Sequence, residues 1–271
     1  MRLLQIHENG QFIFVDVVGD DRIPPYAILS HTWSQDDEDE VTFGDIIDNS
    51  GKKKFGYEKI QFCEEQARKD GLQYFWVDTC CINKQDEAEV SHSINSMFRW
   101  YCNAARCYVY LSDVSMTRKR TRDGDPRDTW ESDFRRSRWF TRGWTLQELI
   151  APLVVEFFSA ECQLLGSKHQ LKQQIQEITG ITVKALEGHA LSNFGGAERL
   201  SWAEFRQTKH EEDKAYSLLG IFNVHMLPMY GEGMENAFRR LHEEIGKRSS
   251  SIHNSEYLLV VACHKLTADD T

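Results

Sequence analysis

Three short segments carry polar side chains where the surrounding pattern predicts apolar packing. They are residues 30–33 (SHTW), Asp78 after the apolar run YFWV, and residues 142–149 (RGWTLQEL). In the third segment Trp144 and Glu148 are four residues apart, so on a helix they lie together. A carboxylate beside an indole can have a raised pKa and serve catalysis, or it can be an ordinary surface acid. Both interpretations of Glu148 stay open on these residues alone.

The elements that would position these residues alternate between strands and helices over the first 160 residues. Apolar runs predict four buried strands, and apolar spacing of 3.6 residues predicts the helices between them. The predicted strands are 26–30, 74–78, 107–111 and 154–158, and the predicted helices are 59–69, 89–105, 142–150 and 171–178. This alternation predicts a parallel sheet with helices on both faces, in which ligands bind beyond the carboxyl ends of the strands.

After about residue 180 the pattern becomes mainly helical, which predicts a helical extension packed on the sheet. We expect one unit of 1–180, its extension over 181–250 and a tail of 251–271. Gly231-Glu-Gly233 is interpreted as a turn before a helix rather than a phosphate loop. The acidic run 34–40 and the basic run 118–127 are interpreted as solvated loops.

Composition excludes several functional classes. The net charge is −10 over 271 residues, which argues against binding nucleic acid through a basic surface. Uncharged apolar runs are too short to span a membrane. Seven cysteines without a CxxC pair favour reduced thiols, no metal site and a cytoplasmic location.

A thiol nucleophile is a further alternative. Cys80 or Cys81 could pair with His31, although their apolar neighbours favour buried packing. The common phosphate-binding and hydrolase signatures are absent: no GxxxxGK[ST], no GxGxxG, no GxSxG and no HExxH.

Five sequence blocks resemble the signature blocks of the heterokaryon-incompatibility (HET) domain, a cell-death domain of filamentous fungi. In chain order they are PPYAILSHTW (24–33), FWVDTCCIN (75–83), SINSMFRWY (93–101), SRWFTRGWTLQELIAP (137–152) and EEDKAYSLLGIFNVHMLPMYGEG (211–233). The resemblance runs from residue 1 to about 250. It departs from the family at Asn83, where Asp is usual, and at Ser34, where Gly often follows the Trp. Because the usual continuation fades after Ser251, we expect a controlling sensor to lie elsewhere.

HET domains are in turn similar to TIR domains, which have a flavodoxin-like sheet and a helix with a W-x-x-x-E element. Many TIR domains hydrolyse NAD, and the Glu of that element is catalytic. This resemblance implies that Glu148 is the catalytic residue and that NAD is the substrate, with no other cofactor. It also implies self-association, since a neighbouring protomer completes the site in TIR enzymes.

The same resemblance implies a set of substrate-binding residues around Glu148. They are Ser30, His31, Trp33, Asp78, Arg142 and Trp144. Arg142 would meet a phosphate, and either Trp would stack on a ring, with core packing as the alternative for both. Asp78 would either contact substrate or cap the following loop.

The function expected is therefore an assembly-activated NAD glycohydrolase that acts as a cell-death effector. Cleaving the nicotinamide–ribose bond gives an oxocarbenium-like transition state that one carboxylate can stabilise. The rival hypothesis is a non-catalytic module that triggers cell death through assembly and partner binding. A Cys80- or Cys81-dependent hydrolase is the third.

Overall fold

The computed structural model describes residues 1–7, 12–17, 23–34, 36–116 and 130–250, with the side chains of 249 and 250 excepted. The basic run 118–127 and the tail 251–271, for which the sequence analysis made predictions, lie outside these ranges. Within them, no helix is long and apolar enough to cross a membrane.

A seven-stranded mixed sheet forms the centre of the described structure, in the order β2-β1-β4-β3-β5-β6-β7. The strands are β1 Arg2–Ile6, β2 Phe12–Asp16, β3 Tyr26–His31, β4 Tyr74–Trp76, β5 Arg106–Tyr110, β6 Val155–Phe158 and β7 Leu164–Ser167. The middle four, β4-β3-β5-β6, are parallel, whereas β1, β2 and β7 pair antiparallel at the two edges. In chain order the parallel strands run 2-1-3-4, which places the reversal of strand order between β3 and β5.

The helices connect and cover these strands. They are α1 Phe43–Ile47, α2 Tyr57–Lys69, α3 Asp78–Cys81, α4 Glu87–Asn103, α5 Trp130–Arg136, α6 Thr145–Ile150, α7 Lys172–Thr179, α8 Val183–Leu186, α9 Gly196–Ser201, α10 Asp213–Tyr216, α11 Leu219–Phe222 and α12 Met234–Ser250. Asp86 caps α4 by accepting hydrogen bonds from two backbone N–H groups, which fixes where that helix begins.

Both faces of the sheet are covered, as two neighbouring residues of β6 show. Phe158 packs against Phe62 of α2 with ring centroids 5.0 Å apart. Phe157 packs against Phe134 of α5 at 5.3 Å. Because consecutive strand residues point to opposite faces, α2 and α5 lie on opposite sides. All six residues of β3 are accordingly buried, as expected for a central parallel strand.

The four predicted strands and the helices between them are confirmed, with shifted ends. One boundary matters for the site: the strand predicted over 74–78 ends at Trp76, and Asp78 begins the short helix α3. The three antiparallel strands were not predicted. The helical character of 181–250 is confirmed for its described residues, and within this region α11 packs on α4.

Candidate functional site

A cavity of about 320 Å³ opens beside the carboxyl end of β3, next to the reversal of strand order. Its wall includes His31 at the end of β3, the two residues that follow it, Asp78 of α3 and one face of α4. Trp144, which directly precedes α6, and Glu148 of α6 also line it. Its volume lies in the range of small-molecule sites. The sequence analysis placed a ligand site at this end of the sheet.

Glu148 is more buried than Asp78, the other acid that residues 1–180 contribute to the cavity wall. Glu148 is only 8% exposed, and its Oε2 accepts a 2.5 Å hydrogen bond from the Ser30 hydroxyl. Burial raises the pKa of Glu148 to about 8, and the charge of Asp78 adds to the rise. The Ser30 hydrogen bond and the charge of Arg206 act in the opposite direction. This carboxyl group is therefore poised to change its charge near neutral pH.

Ser30 supports Glu148 from behind and does not face the cavity. It is 0% exposed and is absent from the cavity wall. Its oxygen accepts a 2.8 Å hydrogen bond from the indole Nε1 of Trp139, while its hydroxyl donates to Glu148. The structure thus places Ser30, predicted to bind substrate, against the Glu148 carboxylate and not on the cavity wall. The indole in this network is that of Trp139, which the sequence analysis missed, and not that of Trp144.

Asp78 forms a second polar cluster on the wall with residues from the end of β3. One carboxylate oxygen lies 3.1 Å from the His31 Nε2, and the other accepts a 2.8 Å hydrogen bond from the Trp33 indole. Although burial opposes ionisation, the hydrogen bond from His31, the charge of Lys84 and the Trp33 hydrogen bond hold the pKa of Asp78 at about 2. Asp78 is therefore ionised in the same cavity in which Glu148 is largely protonated. Such divergent pKa values mark acid–base assignments in active sites.

The two tryptophans predicted to bind substrate are half-buried and both line the cavity. The face of Trp33 carries the Lys84 ammonium, 3.4 Å from the ring centroid. Trp144 directly precedes α6 and hydrogen-bonds to the Asp213 carboxylate. Arg142 also lines the cavity. Of the predicted substrate-binding residues, all except Ser30 reach the wall.

The helical extension completes the wall with residues that the sequence analysis did not single out. Asp213 is buried, and burial raises its pKa. Its Oδ1 accepts a 2.9 Å hydrogen bond from Tyr230, which also lines the cavity, as do Lys209 and His210. All four lie in or beside the fifth HET-like block, but nothing in their spacing separates a buried acid from an exposed one.

Arg206 is a further residue that sequence reasoning missed. It is 4% exposed, and its guanidinium donates to the Arg142 carbonyl at 2.8 Å and to the Thr145 hydroxyl at 2.9 Å. Its charge lowers the pKa of Glu148. The buried Arg206 contacts the first residue of α6 and favours the ionised form of Glu148, which lies one turn further along that helix.

The Gly231-Glu-Gly233 segment forms a turn before α12, as the sequence analysis predicted. The Glu212 carboxylate accepts hydrogen bonds from the N–H groups of Gly231 and Gly233 at 2.7 and 3.2 Å. These donors are occupied within the chain. The acidic run 34–40 differs from the solvated loop expected, because Glu40 is buried and pairs with Lys59 at 2.5 Å.

The thiols near the cavity have the character of packing residues. Cys80 and Cys81 are 0% and 2% exposed. Burial raises the pKa of the Cys80 thiol well above its usual value, which disfavours a thiolate. Within the described part of the chain, no three His, Cys, Asp or Glu side chains are grouped as a metal site would require.

Comparison with known proteins identifies the family to which this geometry belongs. A family model described as Heterokaryon incompatibility protein (HET) matches residues 26–127. Residues 26–127 of the chain therefore match the HET family. The matched range contains Ser30 and Asp78, whereas Glu148, Arg206 and Asp213 lie beyond it.

The chain is also similar to the Vegetative incompatibility protein HET-E-1 of Podospora anserina. The two are 53% identical over 247 residues, which is 91% of this chain and 18% of that relative. The chain thus spans about a fifth of the length of the curated relative that it matches. No solved structure matches this chain significantly.

Proposed function

We propose that this HET chain is an effector of vegetative incompatibility that hydrolyses NAD at the nicotinamide–ribose bond when it self-assembles in the cytoplasm. The observation that carries the proposal is Glu148, a buried carboxyl group on the wall of a nucleoside-sized cavity at the carboxyl end of the parallel strands. The names of both the matching family and the Podospora relative refer to incompatibility. An upstream sensor that triggers assembly belongs to the same proposal.

A TIR-like fold is part of this proposal, and the strand order supports it. The parallel strands run 2-1-3-4, the order in which flavodoxin-like sheets begin. The helix α6 then presents Glu148 beside the carboxyl end of β3. This position agrees with the W-x-x-x-E interpretation of Trp144 and Glu148.

The proposed mechanism uses the charge state of Glu148. With the cavity empty, the raised pKa keeps this carboxyl largely protonated at neutral pH. A bound nicotinamide riboside carries a positive ring, and an adjacent opposite charge favours the ionised carboxylate. Glu148 then stabilises the positive charge that grows on the ribose as nicotinamide departs with the bonding electron pair. A water molecule bonds to the ribose C1′ and loses a proton, which gives ADP-ribose. Two of the three lysine and arginine side chains of the wall, Arg142 and Lys209, would bind the pyrophosphate, and Lys209 would leave its ion pair with Asp37 to do so.

The test compares Glu148→Gln with the wild-type chain and with the control Glu204→Gln, which changes an exposed acid. We expect wild-type and control chains to deplete cellular NAD and reduce viability, and Glu148→Gln to do neither while remaining folded. Purified chain should release nicotinamide from NAD in the same pattern.

A non-catalytic assembly module is the second candidate. It is favoured by the Lys84 ammonium on the Trp33 ring, which occupies a face that a substrate ring would need. If Glu148→Gln still kills and NAD stays unchanged in all strains, the enzymatic proposal is wrong and this candidate replaces it.

A further inference from the structure

A chain of two hydrogen bonds leads from a buried indole to the Glu148 carboxylate. Trp139 Nε1 lies 2.8 Å from Ser30 Oγ, and Ser30 Oγ lies 2.5 Å from Glu148 Oε2. Trp139 and Ser30 are each 0% exposed, so water does not compete for these groups. The chain joins residues 109 and 118 positions apart, so that three separate elements meet at one hydroxyl.

The chemistry of the three groups fixes the direction of the Ser30 proton. An indole N–H can only donate, so the Ser30 oxygen must accept from it. The Ser30 hydroxyl proton is then free to point at the remaining partner, which is Glu148. A donor held in this direction stabilises the ionised carboxylate and opposes the protonated one.

The indole itself cannot turn away from Ser30. Its ring packs edge-on against Phe140 and Phe157, with centroids 5.1 and 5.6 Å away. Ser30 is held by β3, where it pairs with Val109 of β5. Packing therefore fixes the positions of Trp139 Nε1 and Ser30 Oγ, and only the Ser30 hydroxyl proton can rotate.

We propose that Trp139 and Ser30 are positioning residues for Glu148: the indole forces the serine hydroxyl to donate to the carboxylate, which keeps it ionisable in an apolar site. We call the two hydrogen bonds Trp139–Ser30–Glu148 the relay. Its role in catalysis rests on the proposed NAD hydrolysis, but the relay itself is a property of the folded chain.

Other charged and titratable groups also face Glu148, from each element packed around it. Asp78 of α3 opposes its ionisation, whereas Arg206 of the extension and a hydrogen bond with Tyr101 of α4 favour it. Cys107 of β5 is a neutral neighbour, because burial raises the pKa of its thiol. The Ser30 hydrogen bond, Arg206 and Tyr101 therefore all oppose the effect of burial on the pKa of Glu148.

Two variants break the relay at different points. Ser30→Ala removes the donor, and Trp139→Phe removes the group that orients it. Trp202→Phe is the matched control, because Trp202 is also buried but its Nε1 has no hydrogen-bond partner among the described residues. Near-UV circular dichroism checks that each variant is folded. Because Ser30→Ala loses a single oxygen atom, it tests the relay independently of the larger substitution Trp139→Phe.

The readout is the titration of Glu148 itself, followed by the infrared band of its protonated carboxyl group and assigned by its loss in Glu148→Gln. We expect the titration midpoint to rise by about one pH unit in Ser30→Ala, by less in Trp139→Phe, and not at all in Trp202→Phe. The acidic limb of the pH–rate profile for NAD cleavage should move by the same amounts.

Two outcomes separate the relay from the proposed activity. A titration unchanged in both Ser30→Ala and Trp139→Phe overturns the relay even if the chain cleaves NAD. A titration that moves as expected in a chain that cleaves no NAD keeps the relay and removes the proposed function.

Discussion

Burial of the Glu148 carboxylate lowers the folding stability of the chain when this group is ionised. Burial raises the pKa of this carboxyl group from its ordinary value of 4.5 to about 8. The folded state therefore binds this proton more tightly than the unfolded state between those two pH values. By linkage, the contribution of Glu148 to folding stability falls as pH rises from about 4.5 to about 8.

Glu148→Gln should accordingly stabilise the chain at alkaline pH. The amide cannot ionise, so we expect a gain on the order of 2–4 kcal/mol at pH 8 and less than about 1 kcal/mol at pH 5. Urea unfolding at the two pH values measures the difference. The exposed acid variant Glu204→Gln should show no such pH dependence. A Glu148→Gln chain that is less stable than wild type at pH 8 would contradict the raised pKa.

The sequence led to Glu148 and to its neighbours Ser30 and Asp78, but not to Trp139 and Arg206, which also act on its charge. Glu148 belongs to a motif of fixed spacing, which a sequence displays directly. Trp139 reaches Ser30 across 109 positions, and Arg206 reaches Thr145 across 61. Such contacts depend on how the elements pack, and a single sequence holds no record of that packing.

At the scale of elements, the helical extension meets the sheet domain at a very close approach of α11 to α4. A Cβ atom built on Gly220 would lie 2.1 Å from the Cβ of Phe98 and 2.3 Å from its Cγ. No residue other than glycine fits there without moving one helix. Since α4 also supplies Met97 and Tyr101 to the cavity wall, this contact sets the position of that wall.

Gly220→Ala should therefore destabilise the chain through overpacking, by about 1–3 kcal/mol or more. Gly246→Ala is the control, because a Cβ there meets nothing within 4 Å and Gly246 lies exposed in α12. That variant should gain up to about 1 kcal/mol from helix propensity. Thermal unfolding of both variants measures the contrast, and equal melting temperatures would argue against the tight helix contact.

The elements that the sequence predicted have strong apolar patterns, whereas the missed strand β7 and the missed helix α3 do not. The strands β3 and β5 are apolar runs flanked by turn signals, and both were found. The edge strand β7 has an exposed, an intermediate, a buried and an intermediate residue, so its pattern is weak. The short helix α3 was assigned to a strand end and a loop, because four residues are too few to show a helical period.

At the scale of the whole molecule, the cavity is shared between the two parts of the chain. Glu148 and Asp78 come from the sheet domain, whereas Asp213 and Tyr230 come from the extension. The division at about residue 180 that the sequence suggested thus separates residues of one site. Alternation of strands and helices predicts the layers of a fold, but it does not show which distant segments close a wall.

Self-assembly, as proposed, should make NAD cleavage depend on chain concentration. We expect the specific activity to rise with protein concentration and with crowding agents, because neighbouring protomers would complete the site. Nicotinamide release measured over a hundredfold dilution series, together with light scattering, tests this expectation. The inactive variant Glu148→Gln should scatter like the wild type. A specific activity that stays constant while the chain remains monomeric would contradict activation by assembly.

The ammonium of Lys84 over the Trp33 ring has a spectroscopic consequence. Trp33 and Trp144 are the two of the chain's seven tryptophans that line the cavity. A planar ligand that stacks on the Trp33 face covered by Lys84 must displace that ammonium, which exchanges a charge 3.4 Å from the ring centroid for an aromatic surface. Such an exchange alters the electric field across the ring and hence the wavelength at which it fluoresces. The chain therefore contains its own optical indicator of an occupied cavity, and no added dye is needed to follow binding.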